Sequence, residues 1–327
     1  MRTITLFAAA LMCTILSTDS LGSLFTEERI SKAPAPAVST AEGGIYFSRK
    51  VGKDRGWSIL SVDPEGGDER TEVPFTSGMG EYNPALSPDG GIILFNTYRY
   101  GGWKLASREL GKSSVTRLSF GDGYDTNGVY SPDGKEILFE KSDRSGVDIL
   151  IMDVAAQKER NPIPDLTASD ERVPVWTPDG QSVVFFSDKD GPNQIYQWSE
   201  GDDEPRNLSA SKGNDFAPAV SPDGTTIAFY SDRAGYADLF VMSLNGSGQV
   251  NLTEPLHDSD NKYTFGGRSY WVYKAAWSPD GSKIVFMSRV DGNYELYTVG
   301  ADGSDLRRIT QTTASELTPA WGVSVMP

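Results

Sequence analysis

The chain has 327 residues, with 30 Lys and Arg against 45 Asp and Glu, for a formal net charge of −15. That balance argues against a nucleic-acid or anionic-membrane binder, because phosphate contact needs clustered cations. With 38% hydrophobic and 23% charged residues the chain is globular, and one Cys and one His leave little for metal or thiol chemistry.

The N-terminus reads as a secretion signal. Arg2 is a short basic start, residues 3–16 are apolar but short for a bilayer span, and Ser20-Leu21-Gly22 offers a small-residue cleavage site. Residues 1–22 are therefore expected to be removed, together with Cys13, leaving a periplasmic or secreted chain with no disulfide. Met12 stands where a lipoprotein signal carries a small residue, so no lipid anchor is expected. The competing reading is an uncleaved membrane anchor; no later segment is apolar enough to insert. Residues 23–41, ending in KAPAPAVST, form a tether without a core-forming pattern.

From residue 42 onward one pattern recurs. SPDG begins at Ser87, Ser131, Ser221 and Ser278, and TPDG at Thr177, giving successive spacings of 44, 46, 44 and 57 residues. Pro, Asp and Gly in succession specify a tight hairpin turn. An apolar run follows each turn and carries Phe95, Phe139, Phe185, Phe229 or Phe286. A second run alternates in period two, and a third ends in Leu166-Thr167, Leu208-Ser209, Leu252-Thr253 or Ile309-Thr310. Each repeat thus predicts about four short strands and no helix. The last copy stops after Pro319-Ala320-Trp321, and its missing half stands at the other end as Gly43–Arg49, with Phe47 in the phenylalanine position.

Five full copies and one split copy predict an all-β, six-bladed β-propeller of four-stranded antiparallel blades over residues 42–327. One blade is closed by the N- and C-terminal strands, Ile45–Ser48 against Glu316–Trp321. Closure removes the open sheet edges. The repeated Phe is expected between blades, and folding about SPDG is expected to set Glu81 opposite Asn96 and Asp125 opposite Glu140.

The repeat, as in Pro84-Ala85-Leu86-Ser87-Pro88-Asp89-Gly90, resembles the TolB-type propeller repeat over residues 42–322; it is not the WD-repeat pattern. That resemblance implies a periplasmic propeller that binds the lipoprotein Pal. TolB itself carries an α/β domain before its propeller, where this chain has the tether.

Two charged positions recur in register. Six residues before each turn stand Glu81, Asp125, Glu171, Asp215, Val272 and Glu316; after each apolar run stand Arg49, Arg99, Arg144, Lys189, Arg233 and Arg289. One reading makes these structural ion pairs repeated because they build the blade. The other makes the carboxylates an anionic ring at the channel mouth, able to hold basic groups of a partner or a divalent cation such as Ca²⁺. The 57-residue spacing carries an insertion between Thr253 and Val272 on the same end of the ring. His257, Tyr263, Phe265, Tyr270 and Trp271 lie within it, and its aromatics would suit a contact patch.

Catalysis is hard to assemble. A Ser-His-Asp triad would depend on His257, and no G-x-S-x-G elbow occurs. Propeller lyases of pectic oligosaccharides have similar repeats, but the His-rich metal site implied by that resemblance has no counterpart in this sequence. No cofactor is evident. The reading is an exported, monomeric, non-enzymatic propeller that binds a protein or peptide, Pal-like by resemblance. The alternative is a glycan-active or other hydrolytic or lyase enzyme using channel carboxylates.

Overall fold

The computed structural model describes residues 43–50, 56–144, 146–163, 169–256, 272–290 and 292–323. Blade 1 contains β1 (Ile45–Lys50), β2 (Trp57–Val62) and β3 (Arg70–Val73). Blade 2 follows with β4 (Glu81–Leu86), β5 (Ile92–Thr97), β6 (Lys104–Glu109) and β7 (Thr116–Arg117). Blade 3 is β8 (Tyr124–Tyr130), β9 (Glu136–Ser142), β10 (Val147–Asp153) and β11 (Glu159–Arg160). Blade 4 is β12 (Glu171–Trp176), β13 (Ser182–Ser187), β14 (Gln194–Ser199) and β15 (Arg206–Asn207). Blade 5 is β16 (Asp215–Val220), β17 (Thr226–Ser231), β18 (Asp238–Ser243) and β19 (Val250–Asn251). Blade 6 is β20 (Ala275–Trp277), β21 (Lys283–Ser288), β22 (Glu295–Gly300) and β23 (Arg307–Arg308), after which β24 (Glu316–Trp321) returns to blade 1. These make six antiparallel four-stranded sheets, and the closing sheet runs β24-β1-β2-β3. Ile45 pairs with Trp321 and Arg49 with Glu316, as the split repeat predicts. The first strands of successive blades touch one another all round the ring and so surround its axis.

The turn motif works as one hydrogen-bonded unit. In Ser87–Gly90 the Gly90 N–H donates to Ser87 O at 2.8 Å, and Gly90 takes a φ of +73°, which a side chain would resist. The Ser87 hydroxyl donates to Asp89 Oδ1 at 2.6 Å and accepts from Ile92 N at 2.9 Å, while Asp89 also accepts from Gly91 N. The same set recurs at Ser131, Thr177, Ser221 and Ser278. The hydroxyl ending the fourth strand has a similar task. Ser119, Ser209, Thr253 and Thr310 each accept the backbone N–H of a third-strand residue (Leu105, Ile195, Leu239, Leu296) at 2.9–3.0 Å.

The recurrent phenylalanines are buried and join blades. Phe95 packs with Tyr46, Ile59 and Ala320 of blade 1, Phe139 with Leu94 and Leu105 of blade 2, and Phe185 with Leu138 and Ile149 of blade 3. The expected hairpin register, by contrast, is off by one residue. Glu81 lies opposite Thr97 and Asp125 opposite Lys141, not Asn96 and Glu140. The cause is a β-bulge two residues beyond the carboxylate in five blades. Asn83, Asn127, Val173, Ala217 and Thr318 there adopt φ values of +47° to +56°. Val and Thr rarely enter this region, so the surrounding sheet must hold them there. At two of the bulges the N–H turns toward the preceding blade: Asn83 N donates to Ser48 Oγ at 2.9 Å and Val173 N to Glu140 Oε1 at 2.5 Å.

Candidate functional site

The bulges bring the recurrent carboxylates to one end of the ring and bury them. Glu81, Asp125, Asp215 and Glu316 are fully buried and Glu171 nearly so. Three of the predicted carboxylate–base pairs form: Arg49 to Glu316 at 2.6 Å, Arg99 to Glu81 at 2.6 Å and Arg233 to Asp215 at 2.8 Å. Asp125 instead takes Lys104, at 2.9 Å, from β6 of the preceding blade. Glu171 accepts from Ser169 at 2.7 Å and Ser187 at 3.3 Å, while Lys189 turns to Asp190. Breaking such a buried pair on one side typically costs about 3–5 kcal/mol, so these groups fasten the first strand of a blade to the adjoining turn. Among the described residues no group of three or more His, Cys, Asp or Glu comes together to hold a metal ion. His257, Tyr263, Phe265, Tyr270 and Trp271 lie outside the described residues, as do the signal at 1–22 and the tether at 23–41.

A second buried carboxylate, absent from the repeat reading, stands beside Glu316. Glu295 opens β22, is fully buried, and accepts from Arg308 at 2.8 Å, Thr310 at 2.7 Å and the Thr312 N–H at 2.9 Å. Thr310 also reaches Glu316, so one hydroxyl touches both acids. Burial, with the neighbouring Glu295, pushes Glu316 up to about 7. Burial also pushes Glu295 upward, but hydrogen bonds from Glu316, Thr310, Thr312 N–H and Asn293 outweigh it and hold Glu295 near 2. Burial raises Glu171 to about 7 as well, against hydrogen bonds from Ser169 and Ser187.

These shifts set a pH dependence. Between about pH 4.5 and 7 the folded chain keeps protons on Glu171 and Glu316 that the unfolded chain has released, so stability falls as pH rises through that window. Glu295 acts oppositely, its contribution being lost only as pH falls from about 4.5 toward 2. The melting temperature is expected to be highest near pH 5 and to decline toward pH 8 in a buffer series. Glu171→Gln, which imitates the protonated acid, should flatten the decline. A melting temperature that rises from pH 5 to 7 would show that these acids ionise normally.

Around the axis, blade 6 departs from the others. Its first strand has no bulge, and Lys274 stands two residues after Val272, where other blades carry the bulged residue. The half-buried Lys274 ammonium reaches past blade 1 to blade 2, donating to Asn83 Oδ1 at 3.1 Å and Pro84 O at 3.2 Å. Asn83 donates onward to Asn127 Oδ1, and Asn127 donates to Glu140 Oε1 at 2.6 Å. A polarised hydrogen-bonded chain thus runs from a cation on blade 6 through two amides to an acid on blade 3. Burial draws the Lys274 amine down to about 8. On the other side of the ring Phe186, Phe216, Tyr230, Tyr273 and Tyr294 form a continuous aromatic cluster. The sequence reading missed Lys274, Asn83 and Asn127: their shared place two residues past the recurrent acid position is a signal that could have found them, but their contact across the ring has none.

Comparison with known proteins agrees with this architecture. The family described as TolB beta propeller domain matches residues 167–274. The Tol-Pal system protein TolB of Anaeromyxobacter dehalogenans (strain 2CP-C) is 31% identical over 121 residues, which is 35% of this chain and 26% of that protein. The match therefore spans about a quarter of that relative's length. Dipeptidyl-peptidase 5 of Porphyromonas gingivalis is 23% identical over 185 residues, 52% of this chain and 25% of that one. The crystal structure of TolB from Acinetobacter baumannii superposes with a TM-score of 0.72 at 21% identity, covering 86% of this chain and 67% of that one. Repeat sequence, blade topology and terminal closure together make this chain a six-bladed propeller whose repeats are similar to those of the TolB beta propeller domain family.

Proposed function

We propose that the chain is an exported, non-enzymatic module of the cell envelope that captures a protein or peptide. The capturing surface is the end of the ring where successive blades are joined. The observation that carries this reading is the repeat-level match to Tol-Pal system TolB proteins, at 31% identity. By that likeness a Pal-like lipoprotein is the first partner to try, and the periplasm the place to look. The recurrent acids support a binding role over carboxylate catalysis, since four of the five are fully buried and committed to cations. A general acid or base must reach the proton it transfers. Among the described residues no helix is long and apolar enough to cross a membrane.

The test is an envelope pull-down with the full chain beside a variant lacking Leu256–Gly267. Capture of a defined partner should fall at least about tenfold in the variant, equivalent to roughly 1.4 kcal/mol, while its melting temperature stays close to that of the parent. Unchanged capture would remove the inserted loop from the capturing surface. A parallel glycan-cleavage screen addresses the hydrolytic alternative, which would be favoured by cleavage lost in Glu171→Gln or Asp215→Asn.

A further inference from the structure

One sector of the same end presents an unusual cation. Tyr100 lies in the turn between β5 and β6, and Phe120 lies in the connection from β7 to β8. Both rings are open to solvent, at 36% and 50% exposure. The Arg117 guanidinium lies 4.6 Å from the Tyr100 ring centre and 4.7 Å from that of Phe120. Its Nε donates to Ser119 O at 2.8 Å, and no carboxylate stands within ion-pair distance of it among the described residues. Arg49 and Arg233 also lie against aromatic rings, but both are paired to buried acids. Arg117 has aromatic support without a countercharge, on a chain whose net charge is −15.

The turn carrying Tyr100 is also braced from behind. Tyr98 meets Trp103 edge-on at 5.3 Å, Trp103 meets Tyr82 at 6.1 Å, and Tyr82 meets Trp57 at 5.2 Å. Gly102 lies against Tyr124, where an added methyl would come within 3.4 Å of the ring. Rigid aromatics flanking a guanidinium lose little entropy on binding. With its central carbon close to both rings and Nε engaged by Ser119 O, the guanidinium has its terminal nitrogens left for a carboxylate, which it can grip through two parallel hydrogen bonds. The apolar flanks exclude water from that contact and strengthen it.

We propose that Tyr100, Arg117 and Phe120 form a docking surface for an acidic segment of a protein partner, with one carboxylate on Arg117 and its apolar neighbours on the two rings. The charge complementarity commits the occupant: an acidic segment gains a countercharge at Arg117 on a chain whose net charge is −15, which disfavours docking elsewhere. The inference rests on the protein-capture reading only in naming the partner as protein, since the surface itself needs neither the inserted loop nor the channel.

The experiment uses the full chain and fluorescein-labelled hexapeptides that alternate Glu with Phe or Leu, beside counterparts with Lys for Glu, read by fluorescence anisotropy. Oligogalacturonate serves as a polymeric carboxylate without apolar side chains. The acidic peptides should bind and the lysine peptides should not, with affinity falling as salt is raised. Arg117→Glu and Phe120→Ser should each weaken binding about tenfold or more at unchanged melting temperature, while Lys135→Glu at the SPDG end should leave it unaltered. No binding of the acidic peptides, equal binding of the lysine series, binding that survives Arg117→Glu, or preference for oligogalacturonate would each overturn the proposal. Loss of envelope capture without loss of peptide binding would instead count against the capture reading alone.

Discussion

A chain ended at Ser315 is expected to lose cooperative folding altogether. The deletion removes β24, the first strand of blade 1, and with it every hydrogen bond across the pairing from Ile45↔Trp321 to Arg49↔Glu316. Arg49 then loses its buried acid and keeps only the more exposed Glu69. The buried Leu317 and Ala320 go as well, and β1 becomes an open edge ready to pair with another chain. First strands of blades 2 and 6 lose the neighbour that lies between them. These losses together rival the whole stability of a typical domain, about 5–15 kcal/mol. Circular dichroism on heating should show no sharp transition, and gel filtration should show aggregates. A variant ended at Val323 should melt like the parent. A sharp melt within a few degrees of the parent for the Ser315 truncation would mean that the ring does not depend on its closing strand.

The second large effect is expected at Phe229. The ring is fully buried, lies tilted against Phe240 with centres 5.8 Å apart, and belongs to the core joining blade 5 to Ile195 and Leu208 of blade 4. Phe229→Ala should cost about 3–5 kcal/mol, from lost apolar burial and from the cavity between two packed blades. Phe120→Ala, at a half-exposed ring, should change stability by no more than about 0.5 kcal/mol. Urea denaturation monitored by tryptophan fluorescence separates the two. A Phe229→Ala midpoint equal to that of the parent would mean that neighbouring side chains refill the space.

The blades were legible because a turn with fixed chemistry punctuates them. Ser, Asp and Gly each have a separate hydrogen-bonding or φ requirement in the turn, so the motif cannot drift without loss of its bonds. Closure was legible because half a repeat stands at each end of the propeller sequence. The hairpin register was not, because the bulge occupies Asn83 and Asn127 but also Val173, Ala217 and Thr318, which share no residue signature for positive φ. Of the ion pairs, those within one hairpin followed from register. Asp125–Lys104 did not, since its partner comes from the neighbouring blade. Glu295 went unread because the third strands of the other blades open with Trp57, Lys104, Val147, Gln194 and Asp238, which vary in type and charge; only Gln194 and Asp238 share its bond from a fourth-strand hydroxyl. In the Tyr100–Arg117–Phe120 cluster Arg117 and Phe120 are close in sequence, but Tyr100 joins them only through the pairing of β6 with β7.

The closing blade has a topological consequence. Gly322 N donates to Gly44 O at 2.9 Å, directly beyond the Ile45↔Trp321 pair, so the two margins of the propeller sequence lie side by side. A short linker from Gly322 to Gly43 would therefore convert the ring into an endless circuit, which could be cut anew at another blade junction. Such a circular permutant keeps every blade and changes only which sheet is stitched from two distant parts of the gene product. In this architecture, the place where synthesis starts and stops is separable from the geometry of the wheel.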